Sequence, residues 1–64
     1  MTREERIRHE RAAMRIPPWG FAPSEVDDDE PCPYSATSAG GVAWAQALAW
    51  RAEIRERDPN YFDQ

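Results

Sequence analysis

The sequence predicts a mostly α chain. Two helices, over about residues 3–15 and 40–57, are joined by an extended proline-rich acidic strap, with little independent core. Three observations carry this reading. Two breaker-free runs flank a middle segment, 17–41, that holds five of the six prolines and all three glycines. That segment carries five acids and no base, while residues 1–16 are net +2 and residues 42–64 net −1. Finally, only eight of the 64 residues are Leu, Ile, Val or Phe, well under the roughly 20% at which a charged chain is suspected of disorder. The 41% hydrophobic content includes ten alanines, so it overstates what a core has to work with.

The first helix has a start signal and a stop signal. Thr2 followed by Glu5 is a capping box, in which each side chain satisfies an otherwise orphan amide. Glu4 and Arg8 stand four apart in the favourable order. Pro17 stops the run and pushes Ile16 toward extended geometry. The apolar stripe, Ile7 with Met14, is thin, so this helix buries little by itself. Arg8, Arg11 and Arg15 fall on one strip, expected to be a solvated face or to pair with the chain's own acids.

The strap is read as ordered on contact. Pro17-Pro18-Trp19-Gly20-Phe21-Ala22-Pro23 favours an extended path that displays its aromatics. Ser24-Glu25-Val26-Asp27 is expected to form one helical turn with Ser24 as its cap. Asp27 to Glu30 places four like charges in a row, which opposes compaction and reads as a solvated loop. Pro31-Cys32-Pro33 is extended again, and Ser35 to Gly41 is small and polar.

The second helix is the strongest. Thr37 or Ser38 caps it, Ala43 to Arg57 contains no breaker, and Asp58-Pro59-Asn60 ends it. Alanine alternates at 43, 45, 47 and 49, but it is the best helix former and a poor strand former. On the wheel Ala43, Ala47, Trp50 and Ile54 make one stripe. Trp44 and Leu48 make its neighbour, which continues into Arg51 and Arg55. Ala45, Ala49 and Ala52 form a small-residue flank. Trp50 and Ile54 are expected to hold Trp19 or Phe21 in a mini-core. Trp44, Leu48, Arg51 and Arg55, with Trp19 and Phe21 from the strap, are the expected protein-binding residues, because aromatics and arginine dominate interfaces.

Composition also excludes. A chain this short is marginal without support. One cysteine, Cys32, forms no internal disulfide, and with the lone His9 it makes no zinc site. The acidic run lacks the turn glycine of a calcium loop. Cys32 lies among acids, which raise a thiol's pKa and blunt it as a nucleophile. No Ser–His–Asp set, phosphate loop or HExxH motif is present. The expectation is therefore a non-enzyme, without cofactor or metal. The remaining support is association, with a protein partner or as a homo-oligomer. No apolar run is long enough to span a bilayer, and Met1 to Glu5 lacks the apolar centre of a secretory signal. The expected location is the cytoplasm, or a phage particle.

Trp50-Arg51-Ala52-Glu53-Ile54-Arg55-Glu56-Arg57-Asp58-Pro59 resembles the Trp-Arg helical ends of short phage tail assembly proteins. The likeness covers ten of 64 residues, and no residue role is carried over from it. The resulting expectation is a small accessory protein, a minor subunit or assembly factor of a larger phage or bacterial complex. A second reading is a phage or mobile-element inhibitor of a host enzyme or defence complex. A reading of another class, a small nucleic-acid binder using the N-terminal arginines, is disfavoured by the net charge of −4.

Overall fold

A computed structural model describes residues 2–63. Helix α1 runs Arg3–Ala13 and helix α2 runs Ala39–Arg57. Two single 3₁₀ turns, Pro23–Glu25 in the strap and Tyr61–Asp63 after α2, complete the regular structure, and no strand forms among the described residues.

The caps account for the helix ends. Thr2 Oγ1 accepts from the Glu5 amide at 3.2 Å, with Glu4 and Glu5 in the first turn against the positive end of the dipole. Ser38 Oγ accepts from the Gly41 amide at 3.1 Å and starts α2. Helix α1 stops two residues earlier than the pattern suggests. Arg15 takes a left-handed φ of 52°, and the Ile16 amide returns to the Arg11 carbonyl at 3.0 Å. That bond is the signature of a Schellman close, here built on arginine where glycine is usual. Pro17 then prevents any continuation.

The strap turns repeatedly as it crosses the molecule. Amide-to-carbonyl bonds close turns at Pro17–Gly20, Ala22–Glu25, Asp27–Glu30 and Ser35–Ser38. The cap of the single turn predicted here lies two residues earlier than expected. Ala22 occupies the cap position, and its amide donates to Glu25 Oε1 at 2.9 Å. Ser24 is not the cap, because its side chain is buried and bonded to α1.

The core is small, as composition requires. Val26, Trp44 and Ala47 form its centre, with Phe21 and Leu48 packed against it. Phe21 meets Trp44 edge-on at 5.5 Å, and Tyr34 lies 6.3 Å from the same indole. The end of the strap presses onto the start of α2. A Cβ on Gly41 would lie 1.9 Å from the Ser35 carbonyl oxygen, so only glycine fits there.

Trp44, not Trp50, is therefore the tryptophan of the core, and the inward face of α2 straddles the two expected stripes, since Ala43 and Ala47 of the Trp50 stripe are buried with it. The physical reason is the apolar surface that the strap offers, where Trp44 meets Phe21, Val26 and Tyr34. Trp44 and Leu48 share their stripe with Arg51 and Arg55, and both guanidiniums bond Asp28 of the strap. The acidic run is correspondingly not wholly solvated, since Asp28 accepts from both.

The radius of gyration is 11.4 Å. A compact chain of this length has about 11 Å and an unfolded one about 24 Å. No described helix is long and apolar enough to cross a membrane.

Candidate protein-binding cleft

Two features stand out from this scaffold, a buried polar cluster and an open apolar cleft. The cluster is centred on Glu10 of α1, whose residue is only 3% exposed. Its carboxylate accepts from the Ser24 amide at 2.8 Å, the Ser24 hydroxyl at 2.6 Å and the Tyr61 hydroxyl at 2.7 Å. Arg6, also buried, donates from Nε to Ser24 Oγ at 3.4 Å. A carboxylate taken out of water is tolerable only when satisfied in this way. Burial pushes the Tyr61 hydroxyl up to about 12, and the hydrogen bond to Glu10 adds to the shift. The cluster ties α1, the strap turn and the C-terminal turn together. The Ser24 hydroxyl proton is directed at Glu10 and away from solvent.

Other arginines hold the strap by its backbone. Arg3 Nε donates to the Ser24 carbonyl at 2.9 Å. Arg11 donates to the Gly20 carbonyl at 2.9 Å and pairs with Glu25 at 2.6 Å. Arg51 donates to the Pro23 carbonyl at 3.2 Å and lies over the Phe62 ring at 4.0 Å. These cations are turned inward to the chain's own strap. They are not displayed together as a basic patch for phosphate.

The cleft lies between the first part of the strap and α2, with a volume of about 620 Å³. One wall is Ile16, Pro17, Trp19 and Phe21, the segment that follows the close of α1. The other is α2, presenting Val42, Gln46 and Trp50 at intervals of one turn, with Ala39 before them and Ala43 beside Val42. No charged side chain lines it. Trp19 stands on the rim 72% exposed, and Val42 is 59% exposed.

The six expected binding residues are thus divided. Trp44 is in the core, Leu48 packs beside it, and Arg51 and Arg55 hold the strap. Only Trp19 and Phe21 border the open cleft. Sequence reasoning missed Val42, Gln46 and Trp50 as a set, although their spacing of four was a readable signal. It also missed Glu10 and Ser24, whose partnership rests on contacts 14 residues apart.

Among the described residues, no group of three or more histidine, cysteine or carboxylate side chains is gathered to hold a metal. Cys32 is exposed, and its Sγ donates to the Tyr34 carbonyl at 3.4 Å. No protein-family model, curated protein or solved structure matches the chain.

Proposed function

We propose that the chain is a small non-enzymatic accessory protein that works by binding another protein chain, as a minor subunit or assembly factor of a larger complex. The observation that carries this reading is Trp19, 72% exposed on the rim of an uncharged cleft faced by Val42 and Trp50. A tryptophan held in water beside an apolar groove is costly unless something covers it, and tryptophan is the residue most enriched among binding anchors. The arrangement of the arginines supports the same choice. Arg3, Arg6 and Arg11 are engaged with the strap and the buried cluster, so of the Arg8, Arg11 and Arg15 strip only Arg8 and Arg15 stay exposed, a small charge for a phosphate backbone.

Site-specific photo-cross-linking in the native cell tests the proposal. A reactive group at Val42 captures a protein chain, and Trp19→Asp abolishes the capture. The same group at His9, exposed on α1, captures none. Equal capture from both positions, or capture indifferent to Trp19, would overturn the reading.

A further inference from the structure

We infer that the chain covering this cleft is a second copy of the protein, seated with its α2 antiparallel to the first about a two-fold axis at Gln46. The inference rests on the cleft being a protein-binding face and names its occupant.

Shape gives the first argument. Val42 and Trp50 lie four residues either side of Gln46, all three on the cleft wall. A two-fold axis at Gln46 sets each Trp50 opposite the partner copy's Val42, about 6 Å from the axis along the helix. The largest side chain of the wall then meets its smallest region, where Ala39 and Ala43 leave room. One self-complementary patch is what a two-fold interface requires.

Charge gives the second. The paired region is uncharged, so two copies meet there without repulsion despite a net charge of −4 each. Beyond it, Glu53 lies seven residues from Gln46, as does Ala39 in the other direction. The antiparallel register therefore places Glu53 of each copy beside the N-terminal turn of the other copy's α2. That turn contains no acid of its own, unlike the first turn of α1 with Glu4 and Glu5. The positive end of each α2 dipole thus gains the carboxylate it lacks.

Position 46 is exposed and tolerates any good helix former, which makes it the test position. Sedimentation equilibrium on the full chain, over about 1 to 500 µM, follows the monomer–dimer balance. The unchanged protein dimerises across this range. Gln46→Glu and Gln46→Arg each set like charges against each other at the axis and weaken the dimer roughly tenfold or more. An equimolar mixture of the two variants recovers the dimer, because only a two-fold contact brings position 46 against itself. Helical circular dichroism unchanged in both variants shows that folding is not the cause. An unchanged protein that stays monomeric throughout overturns the inference, and capture of a different chain at Val42 would still sustain the proposed function. Dimers indifferent to both substitutions, or a mixture that fails to recover, overturn it equally.

Discussion

Arg15 is held at a φ of 52° to close α1. A side chain in the left-handed region costs roughly 1–2 kcal/mol, and glycine avoids this at some expense of unfolded-state entropy. Arg15→Gly is therefore expected to stabilise the protein by about 0.5–1 kcal/mol, seen as a higher midpoint in chemical denaturation. Tyr61 makes a different forecast. Its hydroxyl ordinarily titrates near 10 and is pushed up to about 12 in the fold, chiefly by burial. Between those values the unfolded chain releases a proton that the folded chain retains. Stability is thus fully present below pH 10 and falls as pH rises toward 12. Tyr61→Phe removes that part of the alkaline loss, measured as the difference between denaturation midpoints at pH 9 and at about pH 11.5.

The strap is the element on which the fold turns. It bears five of the six prolines and five of the twelve acids with no base of its own, yet α1 and α2 clasp it through Arg3, Arg11, Arg51 and Arg55. Asp28 is the acid both α2 arginines share, and it is partly exposed, so each pair is screened. Asp28→Asn is expected to cost about 1 kcal/mol and to raise amide exchange at residues 26–30, leaving α2 protected. A uniform rise in exchange along α2 would show that the pairs hold more than the strap. The two helices were legible because their signals are local. Thr2, Ser38, Pro17 and Pro59 mark ends without reference to the rest of the chain. Which face of α2 turns inward was not legible from the wheel, because Trp44 and Trp50 lie on adjacent stripes of similar apolarity. The choice depends on contacts of Trp44 with Phe21, Val26 and Tyr34 of the strap, which are distant in sequence. The same holds for the cleft. Trp19 was identified from its exposed, proline-flanked setting, but its neighbours Val42 and Trp50 became a site only once the strap had folded back.

At the scale of the molecule, a chain with three buried residues at its core centre reaches a compact radius by substituting arginine–carbonyl and arginine–carboxylate bonds for aliphatic contacts. Its total stability is expected to be a few kcal/mol, at roughly 0.05–0.15 kcal/mol per residue. In so small a molecule one misplaced tryptophan changes which surface is inside and which is free to bind. The account places Trp44 inside, 6% exposed, and gives Trp50 to the wall of the open cleft. Chemical denaturation of Trp44→Ala and Trp50→Ala, at a concentration low enough to keep the chain monomeric, tests this most directly. Trp44→Ala should lose about 3 kcal/mol or more, most of the stability available, while Trp50→Ala loses about 1 kcal/mol or less. Equal losses, or the larger loss at Trp50, would mean that the Trp50 stripe of α2 is the buried one, and the cleft would not exist.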